Sequence, residues 1–453
     1  MKSLHVLVLA AGQGTRMKSA LPKVLHPVAG RPLLEHVLKT VSSLQAKELG
    51  VVLGVGRDVV QKELTARGWK DLHYVIQAKP QGSGHAVLMA RSWLKAKRGS
   101  LLVVYGDTPL LTVQTLRRLA DHHMISGNAA TFLAMDVPDP SGYGRMLVDN
   151  HGYLERIVED KDATPQERAI TLVNSGVACW DIPMLLAVLP RLQPNNAKHE
   201  YYLTDAVALL RNLGGRVGVI RAKNPDETQG INTRVDLARA EFISRQRILE
   251  HWMREGVTIV DPASTYIDAE TVIHPDTRLW PGTILQGATR IGSHCEIGPY
   301  AILENAVVKD GVRVGPFARL RPGSVIEEKA HIGNFVEIKK STIGQGSKVN
   351  HLTYIGDAHV GKEVNVGAGT ITCNYDGFSK FQTRIEDDVF VGSNSNLVAP
   401  IRVGRGAIIA AGSTITEDVQ PHALVVARTR QLSKDGWAKA FRSKHRKESR
   451  NHS

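Results

Sequence analysis

The sequence predicts a Rossmann-like α/β domain followed by a parallel β-helix, and three observations carry that expectation. Over roughly the first half, short apolar runs alternate with segments of helical spacing, as in Leu4–Ala10, Pro32–Leu44, Val51–Val55, Asp58–Arg67, His73–Gln77, Gly84–Leu94 and Leu101–Tyr105. The first run leads directly into Gly12-Gln13-Gly14. From Ile267 to Ile415 the aliphatic residues recur every sixth position. Alternating strands and helices imply a parallel sheet covered on both faces. A six-residue period fits neither a helix at 3.6 nor an alternating strand at 2. Stacked coils that each point one aliphatic side chain inward per face account for it. The boundaries expected are residues 1–231 for the α/β domain, 232–255 for a linking helix and 256–453 for the β-helix.

Composition is globular, with 42% hydrophobic and 22% charged residues, and aromatics at only 5%. Cys179, Cys295 and Cys373 lie far apart, with no CxxC pair and an odd total. That pattern argues against a disulfide framework or a zinc site and fits a reducing cytoplasm. Met1 to Ala11 superficially resembles an export signal. The apolar run is short and gives way to glycines and charges, so a buried first strand is expected instead. No stretch approaches the roughly 18 apolar residues of a membrane span, so no membrane insertion is expected. Net charge is +13, and the stretch from Arg428 to Ser453 alone holds nine Lys/Arg against Asp435 and Glu448. Such a tail can attract anions, but it is expected to be a solvated, partly disordered terminus. Few aromatics for base stacking, and no basic cluster elsewhere, argue against a nucleic-acid partner.

In open α/β sheets ligands sit beyond the carboxyl ends of the strands. Gly12 and Asp107 both fall at such ends. The string Leu9-Ala10-Ala11-Gly12-Gln13-Gly14-Thr15-Arg16-Met17, with Pro22-Lys23 after it, is the sharpest local motif. Met17 stands where a dinucleotide fingerprint has its third glycine, and no Gly-Lys-Ser/Thr of a Walker A loop follows. Glycines let backbone N–H groups close on phosphate oxygens, and Arg16 and Lys23 add two cations. A plain tight turn is the alternative for Gly-x-Gly alone. Tyr105-Gly106-Asp107 ends a strand on a carboxylate suited to Mg²⁺ or, equally, to capping a helix.

The whole string resembles the signature of sugar nucleotidyltransferases. Gly142-Tyr143-Gly144-Arg145, Ile157-Val158-Glu159-Asp160-Lys161 and Val173-Asn174-Ser175-Gly176 follow in that family's order. By resemblance Gly144, Glu159 and Asn174 face an N-acetylglucosamine moiety, while Gln77, Gly82 and Ser83 lie around uridine. Gly230-Ile231-Asn232-Thr233-Arg234 opens a long segment in which Val235, Ala238, Phe242, Leu249 and Trp252 recur at helical spacing. These residues are expected to form its apolar face. Asn232 matches the family's second metal ligand beside Asp107, and also suits the helix N-cap.

The hexads begin at Ile267, Ile273, Leu279, Leu285, Ile291, Ile297 and Leu303, slip near Val308, and resume at Val314 through Ile338. They look lost between Ile343 and Arg384, then return from Ile385 to Ile415. Reactive side chains collect around that interruption, and Gly367–Arg384 is too long for a hexad turn. Acetyl transfer to an amine needs a base, an oxyanion partner and an anchor for the acceptor. His351 has the right chemistry for the first task, and N–H groups of the Gly367–Gly369 turn for the second.

Taken from Leu4 to about Trp437, the chain resembles the bacterial bifunctional family that unites glucosamine-1-phosphate N-acetyltransferase with N-acetylglucosamine-1-phosphate uridylyltransferase. The resemblance implies UTP, acetyl-CoA and Mg²⁺ as co-substrates and cofactor, with glucosamine 1-phosphate and N-acetylglucosamine 1-phosphate as acceptors. It implies His351 as acetyl-transfer base, with Glu337 orienting it. It places Arg321, Lys339, Tyr354 and Asn365 on the amino sugar phosphate, and Ala368, Asn374, Tyr375, Ser393, Ala411 and Arg428 on acetyl-CoA. A left-handed β-helix and a homotrimer also rest on the resemblance alone. The rival reading is a single-function sugar nucleotidyltransferase whose β-helix is structural or regulatory.

Overall fold

The computed structural model describes residues 3–450, and side chains through residue 445. It divides into two compact units, Met1–Glu250 with Ile267–Glu270, and His251–Tyr266 with Thr271–Ser453.

The first unit is built on one twisted sheet. Its strands run in the order Val217–Arg221, Ala130–Asp136, Leu172–Asp181, Ser100–Tyr105, Leu4–Ala10, Glu48–Leu53 and His73–Ile76. Leu4–Ala10 pairs in parallel with both Glu48–Leu53 and Ser100–Tyr105. The expected all-parallel sheet is corrected to a mixed one, because Leu172–Asp181 runs antiparallel to both of its neighbours. It also carries a hairpin, Arg145–Val148 with Leu154–Val158. Alternate residues of the central strands bury on opposite faces. Leu7, Leu9, Leu101 and Val103 join one cluster, whereas Val6, Val8, Leu102 and Val104 join the other. That two-sided burial is why these strands read as unbroken apolar runs. The helix expected over Gly84–Leu94 is two short ones, Ser83–Met89 and Arg91–Lys95.

The long helix Arg234–Arg254 forms as expected, but its buried face differs. Val235 is 79% and Phe242 55% exposed, and Ala238 is also exposed. Leu249 is buried as expected, but its buried companions are Ala240 and Ser244, and Ala240, Leu237 and Ile243 pack with Val28, Leu33, Leu110 and Ile231. Thr233, not Asn232, caps this helix. Its Oγ1 accepts from the Asp236 N–H (3.2 Å), while Asp236 Oδ2 accepts from the N–H groups of Asn232 (2.9 Å) and Thr233 (2.8 Å). This reciprocal box leaves the Asn232 side chain free for another partner.

In the second unit very short strands form three parallel sheets, each strand pairing with the third one after it. Ile284 lies opposite Ile302, and Ile302 opposite Arg319, so coils are 18 or 17 residues long. The inward positions are buried and, Thr372 apart, aliphatic, as at Leu279, Leu285, Ile291, Ile297 and Leu303. The slip near Val308 is one 17-residue coil. The expected loss of repeat from Ile343 onward is corrected, since Val349, Ile355, Val360 and Val366 continue the buried column. Two features hid it: Ile355 and Val360 are five apart, and the next inward residue is the buried Thr372. The true excursion is shorter, lying between the strands Ile371–Cys373 and Thr383–Ile385. At the end, Trp437–Arg450 forms a helix where a partly disordered tail was expected, and its residues through His445 are exposed.

Candidate active sites

In the first unit, two adjoining clefts open at the carboxyl ends of Leu4–Ala10 and Ser100–Tyr105. One, of about 540 Å³, is lined by Leu9, Ala10, Ala11, Gly12, Arg16, Lys23, Gln77, Gly82, Ser83, Tyr105, Asp107 and Asn232. The other, of about 530 Å³, is lined by Tyr143, Gly144, Glu159 and Asn174, and shares Arg16, Tyr105, Asp107 and Asn232 with the first. The four shared residues mark where two bound molecules would meet. Of the residues expected here only Gly106 lines neither cleft. It packs as structure, its N–H donating to Leu9 O (2.9 Å), and a Cβ on it would touch Ala10 and Leu34. The sequence reading passed over Glu200, which lines the first cleft from a loop without a recognisable motif.

Lys23 is the pivot of this unit. Its ammonium pairs with the Asp107 carboxylate and also donates to Asn232 Oδ1 (3.3 Å), with both ion-pair partners largely buried. The lysine stem leans on Gly14, whose φ of 64° and lack of Cβ are both needed, since a Cβ there would lie 2.5 Å from Lys23 Cβ. Asp107 and Asn232 therefore already aim two hard oxygen donors at one cation. Such a pair suits Mg²⁺, which keeps most of its shell for water and phosphate. Among the described residues no group of three His, Cys, Asp or Glu side chains gathers as a metal cluster.

On the sugar side, Gly144 has no room for a side chain: a Cβ would meet Ile157 at 2.8 Å and Glu159 Oε1 at 3.3 Å. Asn174 is tied in by its N–H to Gly144 O (2.8 Å), and its Oδ1 accepts from the Gly176 N–H (2.9 Å). Burial pushes the Glu159 carboxyl above its ordinary range, with Asp205 and Asp162 adding repulsion and Lys198 opposing. Burial likewise pushes the Tyr105 phenol up to about 12. Gln77 is buried and donates to Gly82 O (3.1 Å), which fixes the turn before Ser83.

In the second unit the outward residues of successive coils make a second cluster. Glu337 lies directly beside Tyr354 on neighbouring strands. Arg321 Nη1 donates to Glu337 Oε1 (2.8 Å), and that bond raises the guanidinium's affinity for its proton. Lys380 comes back from the excursion toward Lys339 and holds its ammonium below the usual lysine range, with Arg321 adding to the effect. Three cations so placed can attract an anion. Lys380 escaped the sequence reading because only the excursion brings it there. Glu337 was expected to orient His351, but its carboxylate bonds to Arg321. His351 Nδ1 instead lies 2.7 Å from Asn334 Oδ1. Asn365 sits on the next coil, opposite Lys348.

Ala368, Ser393, Ala411 and Arg428 share one corner of the coil. Asn394 N–H donates to Ala368 O (2.7 Å), Gly412 N–H donates to Ser393 O (2.8 Å), and Gly392 lies against Ala411. Arg428 Cδ lies 3.8 Å from where a Cβ of Gly412 would be. Asn374 and Tyr375 stand in the excursion, the first buried with its amide on Asp357 Oδ2 (2.5 Å), the second 60% exposed.

Family models match both units: the MobA-like NTP transferase domain over residues 6–163, and the hexapeptide repeat of succinyl-transferase over residues 382–417. Curated relatives match end to end. A bifunctional protein GlmU of Geobacillus thermodenitrificans is 46% identical over 97% of this chain and 98% of its own length. That of Shouchella clausii is 47% identical over 97% and 99%. That of Caldanaerobacter subterraneus subsp. tengcongensis is 48% identical over 96% and 98%. With paired clefts in the first unit, a cluster of charged side chains in the second and relatives matching across both, the chain belongs to the GlmU family of bifunctional enzymes, joining nucleotidyl transfer to acetyl transfer.

Proposed function

We propose that this enzyme makes UDP-N-acetylglucosamine in two steps, acetylating glucosamine 1-phosphate from acetyl-CoA and then joining the product to UTP with loss of pyrophosphate. Residues 256–453 would carry the first step and residues 1–231 the second, with the helix between as connector. The observation that carries the reading over a purely structural β-helix is the gathering of Arg321, Lys339 and Lys380 into one cluster on the unit that also carries His351, paired with Asn334. A column serving only assembly has no use for such a cluster.

In the acetyl half, the three cations hold the sugar phosphate, and Tyr354 and Asn365 face its hydroxyls. His351 Nε2 takes the ammonium proton, the freed amine attacks the thioester carbonyl, a C–N bond forms and the C–S bond breaks, and the coenzyme leaves as a thiolate that takes up the second proton lost by the new amide nitrogen. The corner of Ala368, Ser393, Ala411 and Arg428, with Asn374 and Tyr375 from the excursion, holds the coenzyme.

In the uridylyl half, the Leu9–Gly14 backbone and Arg16 cradle the triphosphate, with Gln77, Gly82 and Ser83 at the base. Gly144, Glu159 and Asn174 hold N-acetylglucosamine. Its phosphate oxygen attacks the α-phosphorus in line and pyrophosphate leaves, a transfer that rests on positioning and charge neutralisation more than on a protein nucleophile. Asp107 and Asn232 would hold Mg²⁺, which supplies charge neutralisation when bound. Lys23 then turns its ammonium to the phosphates. Three unpaired cysteines support a cytoplasmic setting, and the exposed ring ladder Tyr300–Phe317–Phe335, stacked at 5.2 Å, supports a homotrimer. No described helix is long and apolar enough to cross a membrane.

The test supplies glucosamine 1-phosphate, acetyl-CoA and UTP, and follows thiol and pyrophosphate separately. Both are expected. Pyrophosphate from N-acetylglucosamine 1-phosphate without any thiol release would leave the single-function reading standing.

A further inference from the structure

Asn334 and His351 are neighbours by construction of the coil. The strands His331–Asn334 and Lys348–His351 pair in parallel, with Asn334 directly opposite His351, one 17-residue coil apart. Two bonds join the coils at this point. The Leu352 N–H donates to Asn334 O (3.0 Å), fixing the corner that Leu352 turns at a φ of 49°. The side chains meet at 2.7 Å between His351 Nδ1 and Asn334 Oδ1. The corner is braced further by Thr353 Oγ1, which donates to His351 O (2.7 Å). The imidazole is thus held at one nitrogen on a fixed backbone, while the residue stays exposed.

We propose that Asn334 is the positioning residue of acetyl transfer, holding His351 in the tautomer whose Nε2 is the free base. An amide oxygen only accepts, so the ring must bring its proton to Nδ1, leaving the Nε2 lone pair open to the substrate ammonium. Free histidine has no such constraint, and the other tautomer would present a proton where the base is needed. A carboxylate in this place would also fix the tautomer, but it would stabilise the imidazolium and hold the base protonated to higher pH. The neutral amide orients without that penalty. The charged and titratable groups around the pair are His331 on Asn334's own strand, Lys348 on His351's strand and Arg313 on the preceding coil. His331 is itself held below the usual histidine range, by burial first and then by Arg313, His351 and Lys348. Arg313 and Lys348 are donors only, so neither can accept the Nδ1 proton as Asn334 does. Glu337, the carboxylate nearest Asn334 in sequence, is engaged by Arg321, and Asp357, the one nearest His351, by the Asn374 amide.

The inference rests on His351 being the base, and the variants separate the two. Asn334→Ala should lower kcat of thiol release about 10- to 100-fold, the usual range for losing such an orienting partner, with KM for both substrates and uridylyl transfer unchanged. Asn334→Asp should keep most of kcat but move the acidic limb of its pH profile upward by about one unit. In ¹⁵N-histidine spectra above the ring's titration, the wild-type His351 signal should show the proton on Nδ1, and Asn334→Ala should move it toward Nε2. An unchanged tautomer and an unchanged kcat in Asn334→Ala would overturn the proposal, as would a wild-type proton on Nε2. Both results leave the base assignment intact if His351→Ala still abolishes thiol release. Thiol release that survives His351→Ala would instead remove the base reading and the proposal with it.

Discussion

At the scale of single residues, the two sites use opposite electrostatic arrangements. In the uridylyl half acids are paired with or displaced by cations, whereas the acetyl half sets cations side by side to await an anion. Glu159 shows the cost of preparing a pocket in advance. Burial raises its folded pKa, so the folded protein holds this proton more tightly than the unfolded chain does. Stability therefore falls as pH rises from the ordinary glutamate range through the raised value, because the unfolded state sheds its proton first. Glu159→Gln removes the buried charge. It should raise the melting temperature at neutral pH and leave it nearly unchanged near pH 4, as calorimetry at the two pH values would show. The same change should raise KM for N-acetylglucosamine 1-phosphate about 10- to 100-fold, as expected for losing a hydrogen bond to a charged acceptor. A neutral-pH melting temperature that drops would contradict this account. Residues of the first site were legible because Gly12, Arg16 and Lys23 sit close together in one string. Asn334 was not, since nothing local marks it. The signal that could have found it is the coil length: one 17-residue coil before His351 is Asn334.

At the scale of elements, the β-helix was legible because every coil repeats one physical demand, an aliphatic side chain at the inward position. It became illegible where that demand was met by Thr372, or where a coil dropped a residue between Ile355 and Val360. Position 372 stays buried because its hydroxyl is satisfied by Gly356 O (3.2 Å). The helix Arg234–Arg254 taught the opposite lesson. Its large apolar residues suggested one face, yet small Ala240 and Ser244 are buried and bulky Val235 and Phe242 are exposed. Close helix packing favours small residues, and hydrophobic spacing alone cannot weigh that. Two substitutions decide which face is buried. Ala240→Glu should destabilise by more than about 2 kcal/mol, because it places a charge in packed surroundings. Phe242→Ser should stay within about 0.5 kcal/mol. Denaturant unfolding of both variants would check this, and the reverse order would return the helix to the face expected from its sequence.

At the scale of the whole molecule, the chain joins a mixed sheet with a carboxyl-end crevice to a coil whose surface chemistry repeats at one coil length. Each architecture supplies a different kind of precision. The sheet brings distant segments to one crevice, so Lys23, Asp107 and Asn232 converge from three parts of the sequence. The coil stacks near neighbours, so Asn334 and His351, or Glu337 and Tyr354, meet by register alone. We propose that these are two catalytic centres with separate residues. The most direct test compares folded Asp107→Ala and His351→Ala proteins, measuring pyrophosphate formed from N-acetylglucosamine 1-phosphate with UTP, and thiol released from acetyl-CoA with glucosamine 1-phosphate. The account predicts that Asp107→Ala loses pyrophosphate formation by at least about 100-fold while keeping thiol release, a loss on the scale of removing a group that neutralises transition-state charge. It predicts the reverse for His351→Ala. Loss of both activities in either folded variant would contradict it.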